Sequence, residues 1–227
     1  MNGLAPLMVR VGPLALGAAC SPAVLLVQMM VLTRGTARVA RAWLYALGTL
    51  TMTAVWMACG ILAFQATGQR PAPSPEARTT SAVVHLVGAA LLLALALRNF
   101  YTPESEVSED KVGADEAAPH YLKAFVLGIG IMAANVTTVV LLLPATHTVA
   151  ASRAEVPAKA LACAVLAVAA AAPALLPPLL VALGGPAGRR RLDRTAAWMQ
   201  QHQHRINAVV CVAFAAYLGT TGALKLG

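Results

Sequence analysis

Acidic side chains are scarce in this chain, and none of them lies within a long apolar run. Glu76, Glu104, Glu106, Glu109, Asp110, Asp115, Glu116, Glu155 and Asp193 all fall between or beyond such runs. A site that strips a divalent cation of its water needs buried carboxylates, so no metal site is expected. Neither a serine–histidine–acid set nor a pair of acids can be assembled within one apolar region, which argues against hydrolysis in the membrane and against an enzyme. Cysteine is equally sparse. Cys20, Cys59, Cys163 and Cys211 stand one per apolar run with no C-x-x-C spacing, so no disulfide framework is implied and each reads as a small packing residue. His202 and His204 are two apart and would point to different sides of a helix, so they do not make a metal pair. No cofactor is called for.

Apolar surface is what the chain has in abundance. Of 227 residues, 59% are hydrophobic and 11% charged, the profile of an integral membrane protein. The net charge of +8 does not require nucleic acid, because lysine and arginine accumulate in cytoplasmic loops. About 20 mostly apolar residues cross a bilayer. By that rule residues 7–32, 39–64, 81–97, 121–145, 157–183 and 206–226 predict six transmembrane helices in an all-α integral membrane fold. Placing both termini outside puts eleven of the seventeen lysines and arginines on the cytoplasmic side, as expected for a multi-pass protein of a bacterial plasma membrane.

Residues 104–119 hold six of the nine acids and read as a cytoplasmic linker. They separate a first three-helix unit, 1–103, from a second, 120–227. Three spans per unit leave the second inverted relative to the first, a plan that places substrate near the midplane between the repeats. Residues 69–75 are proline-rich and read as a short outer loop. In residues 189–205, Leu192, Ala196 and Met199 recur at helical spacing among Arg189, Arg190, Arg191, Arg194 and Arg205, with Trp198 near the end. That pattern predicts an amphipathic helix on the inner surface, its arginines towards anionic headgroups.

Two midpoints organise the halves. Pro22 has no N–H and crowds the Ala18 carbonyl, so Ser21-Pro22 interrupts the first run where a freed carbonyl needs another partner. Asn135, at the middle of the second half's first run, is its counterpart. Gln28 follows Ser21 by two helical turns, and Thr138 shares a face with Asn135, with Thr137 beside it. These polar groups either line a path for substrate or act as hydrogen-bonding glue between helices. His85 is the ionisable group of the third run and a candidate proton carrier. Pro173, Pro177 and Pro178, with Gly48 and Gly60, predict kinked helices. Thr49, Thr51 and Thr53 are expected to bond back to their own helix.

Three stretches carry a family resemblance: Leu14-Ala15-Leu16-Gly17-Ala18-Ala19-Cys20-Ser21-Pro22, Arg41-Ala42-Trp43-Leu44-Tyr45-Ala46-Leu47-Gly48, and the series Trp198, His202, Ile206. They resemble the GAP (peptidoglycolipid-addressing) proteins of the LysE-type exporter superfamily, six-span, two-repeat transporters of amino acids, metals, electrons or lipids. The resemblance implies movement of glycolipids to the surface of actinobacterial envelopes. Relatives often carry Asn-Pro-Lys in the fourth span, where this chain has Asn135-Val136-Thr137. The substitution is expected to remove a helix break and a midplane charge, and Ser21, Pro22 and Asn135 alone transfer by position.

The expectation is a plasma-membrane exporter or flippase-like carrier for a lipid-linked or amphipathic molecule, working by alternating access. Ser21, Pro22, Gln28, Asn135, Thr137 and Thr138 would bind substrate. A charged solute would want charged side chains at the midplane, and none is present. The partners expected are membrane lipids and the substrate, with a homodimer as the assembly to test. The alternatives are an exporter of small amino-acid-like solutes, or a scaffold that docks envelope-biosynthesis enzymes through the basic segment.

Overall fold

The computed structural model describes residues 4–33, 38–66, 75–101 and 121–226. The linker 104–119 and residues 69–74 of the proline-rich loop lie outside the described residues. Seven helical elements follow in order: α1 (Leu4–Ala19), α2 (Pro22–Thr33), α3 (Arg38–Ala66), α4 (Pro75–Tyr101), α5 (Tyr121–Ala134), α6 (Val136–Ala151) and α7 (Val156–Leu226). There is no strand among the described residues. The last element is two arms that meet at Gly185, whose φ of 51° and ψ of −137° suit a residue without a Cβ.

Helix covers all six apolar runs, but not as six equal spans. Arg38–Gln65 and Val156–Gly185 are each long and apolar enough to cross a membrane. Two bent pairs qualify when taken together, α1 with α2 at 49° and α5 with α6 at 72°. The third and sixth runs reduce to the shorter apolar helices His85–Ala94 and Ala208–Leu224. Polar and charged residues such as Glu76, Arg78 and Arg98 occupy the ends of α4, and ten residues of helix rise only about 15 Å, half of a hydrocarbon core. Among the described residues there are therefore two to four candidate spans by length and composition, which does not by itself establish the six expected from the sequence.

The helices are apolar all round, as lipid-embedded helices are. One side of each packs inward, placing Leu14, Val24, Tyr45, Met132, Leu141, Leu166 and Leu218 in a common core. The other side is exposed and equally greasy, with Leu16, Leu62, Val126, Val168 and Val209 more than half exposed. The two broken pairs interlock: α1 packs against α6, and α2 against α5.

Gly48 and Gly60 do not kink α3, which runs unbroken from Arg38 to Ala66. Their role is close approach. A Cβ on Gly48 would overlap the Phe125 carbonyl oxygen, and a Cβ on Gly128 would overlap that of Tyr45. Small residues facing each other let two backbones touch, which is how membrane helices associate without a hydrophobic drive. A Cβ on Gly60 would meet the Thr146 hydroxyl. The three prolines expected to break the fifth run do not break it either; helix continues through Pro173, Pro177 and Pro178 to Gly185. Past Gly185 the basic stretch continues into the last apolar run without another non-helical residue.

Replacing Gly48 or Gly128 by leucine is expected to destabilise the fold by about 2–3 kcal/mol each, because the colliding atom is backbone. Gly130 sits in the same helix as Gly128 with nothing within 4 Å of its Cβ position. Gly130→Ala should be neutral or stabilising by up to about 1 kcal/mol through helix propensity. Unfolding in mixed micelles followed by circular dichroism checks both.

Candidate functional site

The first break forms where Pro22 cannot donate. α1 ends at Ala19, the Cys20 N–H bonds to Gly17 O at 3.1 Å and the Ser21 N–H to Ala19 O at 3.1 Å. The Ser21 carbonyl then accepts from Leu25 N–H at 3.3 Å, so Ser21 holds the N-cap position of α2. The tight hydrogen bonds leave the Ala18 carbonyl, one turn before Pro22, out of the ladder.

The second break forms without a proline, contrary to the expectation that losing one removes it, and it is the sharper of the two. Asn135 is the reason. Its backbone is non-helical, at φ −81° and ψ 79°, and its side-chain oxygen accepts from the Thr138 N–H at 3.3 Å. An asparagine that caps the next helix competes with the continuous ladder, and the β-branched Val136, Thr137 and Thr138 do little to restore it. The Asn135 carbonyl starts α6 by accepting from Val139 N–H at 3.2 Å.

These two breaks meet. Asn135 Nδ2 donates to Ser21 Oγ at 2.7 Å across 114 residues of sequence. One amide thus caps α6 with its oxygen and holds the start of α2 with its nitrogen. Ser21 and Pro22 are buried, Asn135 and Thr137 half-buried, and Thr138 is 2% exposed.

Gln28 lies further along α2, fully buried, and its amide nitrogen is committed to two backbone carbonyls. Its Nε2 donates to Ala42 O at 3.0 Å on α3 and to Ala174 O at 2.8 Å on α7. Ala174 is four residues before Pro178, so its carbonyl has no N–H of its own to accept from. Gln28 supplies the missing donor, which explains how that helix survives its prolines. Its Oε1 has no partner among the described residues. Tyr45, absent from the sequence candidates, donates its hydroxyl to Val24 O at 3.2 Å and so steadies the first turn of α2.

The remaining candidates are elsewhere. His85 is buried in α4, whose main contacts are with α6 and α7. His147, in α6, was missed because the fourth run was ended at Ala145; helix continues to Ala151 and the imidazole sits edge-on to Phe64, centroids 5.1 Å apart. Arg190, Arg194 and Arg205 are exposed on the second arm of α7, where Trp198 stacks on His202 at 5.0 Å. The side chains of Arg189 and Arg191 lie outside the described residues. Thr49, Thr51 and Thr53 bond back to Ala46, Leu47 and Thr49, as expected.

Residues 11–223 match the family model described as Sap, sulfolipid-1-addressing protein. The chain belongs to this family. Comparison with curated proteins and with solved structures gives no match.

The pairing of Gln28 with a proline-freed carbonyl has a measurable signature. Gln28→Met should cost about 1–2 kcal/mol, since it leaves the Ala174 carbonyl bare. In a Pro178→Ala background residue 178 regains an N–H, and the same substitution should cost less by about 0.5–1 kcal/mol in a double-mutant cycle. Equal costs in both backgrounds would show that the carbonyl is not what Gln28 satisfies.

Proposed function

We propose that this member of the sulfolipid-1-addressing protein family is a plasma-membrane carrier, exporter or flippase-like, for a lipid-linked or amphipathic envelope molecule. The family description supports a role in export or localisation of such a molecule, and the apolar helices suit a protein of the membrane. The observation that carries the reading is the hydrogen bond between Ser21 and Asn135, which joins two interrupted helices into one polar locus inside an otherwise apolar bundle. Interrupted backbone at membrane depth is tolerated where it is buried in protein or lines a cavity, and transporters use it to hold substrate.

In this reading α1–α2 and α5–α6 are each one broken span. With α3, α4 and the two arms of α7 they make six spans in two inverted repeats, of LysE-type plan, with both termini outside. Alternating access then consists of one unit rocking against the other about the Ser21–Asn135 contact. Ser21, Pro22, Asn135, Thr137 and Thr138 face the cargo, Gln28 fixes the frame, and no covalent chemistry is involved. Among the described residues, His85 and His147 are buried imidazoles that a proton-coupled cycle would use.

A second reading, a scaffold for envelope-biosynthesis enzymes, draws on the exposed arginines and Trp198 of α7. Lipid and metabolite profiling of a deletion strain, inner against outer envelope, separates the two. A carrier predicts retention of one envelope lipid inside, rescued by the wild-type chain and not by a folded Ser21→Ala, Asn135→Ala variant. Rescue by that variant, with loss of rescue when Arg190, Arg194 and Arg205 become glutamine, would establish the scaffold instead. Unchanged lipids with raised internal amino acids would point to a small-solute exporter.

A further inference from the structure

We propose that the basic face of α7 beyond Gly185 docks on the phosphate headgroups of the leaflet at its end of the bundle, held there by anionic phospholipid. The partner is the bulk membrane and not the cargo, and the surface is separate from the locus at Ser21 and Asn135.

Contacts between helices place this face. Gln28 Nε2 joins Ala42 of α3 to Ala174 of α7, so Ala174 lies level with the first turns of α3. Lys159, near the start of α7, donates to Ala150 O at the end of α6, whose Thr146 lies against Gly60 far along α3. The first arm of α7 therefore runs from the Gly60 end of α3 towards the Arg38 end. Gly185, eleven residues past Ala174, is about 16 Å further on in that direction. Gly128 meets Tyr45 and, later in the chain, Thr146 meets Gly60, so α5 begins at the Arg38 end as well.

Charge is sorted between the two ends. The exposed charged side chains described at the Arg38 end are all cationic: Arg38, Lys123, Arg190, Arg194 and Arg205. At the other end, the connection from α6 to α7 carries both signs, with Arg153 and Glu155 exposed. A rim of one sign attracts an anionic partner, and a mixed rim does so far less.

The shape of the face suits a surface better than a single ligand. Arg190, Arg194, Trp198, Gln201 and Arg205 are exposed at spacings of four, four, three and four, which makes one stripe about 22 Å long. Leu192, on the opposite side of the helix, is 7% exposed, so the apolar side turns inward and the basic stripe is what the helix presents. Trp198 stands 57% exposed among the arginines, its ring stacked on His202, whose Nδ1 lies 2.9 Å from Trp198 O. An indole settles at headgroup depth, where its ring meets apolar material and its N–H meets phosphate. Guanidinium groups fork onto phosphate oxygens.

Tethering favours the membrane over a soluble acidic partner. Arg190 is five residues past the end of Val156–Gly185, a helix long and apolar enough to cross a bilayer. It stands about 8 Å of helix from that end, within the range at which leaflet charge is felt. From Arg205 the same helix runs on into Ala208–Leu224, which packs along α4 with Gly222 against Leu86. Contact with the leaflet thus fixes the depth of this short apolar arm.

The test footprints the full chain in nanodiscs with phenylglyoxal, which labels arginine, and reads each site by mass spectrometry. The discs are phosphatidylcholine, with or without phosphatidylglycerol as about a third of the lipid. Adding phosphatidylglycerol should slow labelling of Arg190, Arg194 and Arg205 at least about fivefold, and high salt should restore it. Arg153, two residues from Glu155, should change less than about twofold. In a Trp43→Phe, Trp56→Phe chain, Trp198 emission should shift to the blue on the same addition, and Arg190→Gln, Arg194→Gln, Arg205→Gln should abolish the shift. If that chain fails to fold, the footprint of the wild type decides alone. Unchanged labelling of the three arginines, which would leave them to a soluble partner, or equal slowing at Arg153 overturns the proposal. So does labelling that is slow in both lipids and is released by Glu104→Gln, Glu106→Gln, Glu109→Gln and Asp110→Asn, which would assign the face to the chain's own acidic segment.

Discussion

A backbone amide inside a bilayer has no water to fall back on, so every cut in a helix must be answered by some other group of the protein. This chain cuts two helices near their midpoints, and the hydrogen bond from Asn135 to Ser21 is where the two cuts answer each other. A single side chain closes part of both ends: its oxygen takes a first-turn N–H of α6, and its nitrogen fixes the residue that begins α2. Remove that amide and both helix starts lose an anchor at once. The helices bend by 49° at one break and 72° at the other.

The rest of the bundle is arranged to hold those two starts in place, and a short stretch of α3 carries much of that work. Ala42 O receives Gln28 from α2, Tyr45 OH reaches Val24 O, and Gly48 and the Tyr45 carbonyl lie against Phe125 and Gly128 of α5. Two turns of one helix thus grip the broken helices of both halves. The contacts are of two kinds. Those to α2 are hydrogen bonds that can be made or broken singly, whereas the α3–α5 crossing depends on backbones touching over an area. The second kind tolerates little change, because the atoms in contact at Gly48 and Gly128 are backbone.

Much of this was legible in the residues, and the reasons differ from place to place. Ser21-Pro22 announces a break because proline removes a donor wherever it stands. Asn135 is legible as its counterpart from the layout of the halves, and the structure joins the two by a hydrogen bond. What the sequence hid were effects that need a partner from another helix. Pro173, Pro177 and Pro178 promise a broken span until Gln28, 146 residues away from Ala174, supplies a donor. Gly48 reads as a hinge until the Phe125 carbonyl is seen against it. His147 escaped because a hydropathy boundary drawn at Ala145 stops before the helix does. Hydropathy counts apolar runs, whereas length and composition of the described helices support two to four candidate spans, because the apolar stretches of α4 and the last arm of α7 are short.

The uncharged character of the locus bears on how a carrier could use it. A fixed arginine or lysine at the midplane would bind an anion well, but the empty site would then have to turn around with a bare charge in hydrocarbon, at a cost of several kcal/mol. Helix ends avoid that difficulty. Their potential comes from peptide dipoles with no net charge, so such a locus demands no counterion when it stands empty. Spreading the donors over two helices that belong to opposite halves adds a second property. A molecule held between the two starts would touch both of the interrupted helices that the Ser21–Asn135 hydrogen bond already joins. Cargo would therefore alter the balance between the arrangements of the two units, which is the condition for coupling occupancy to movement.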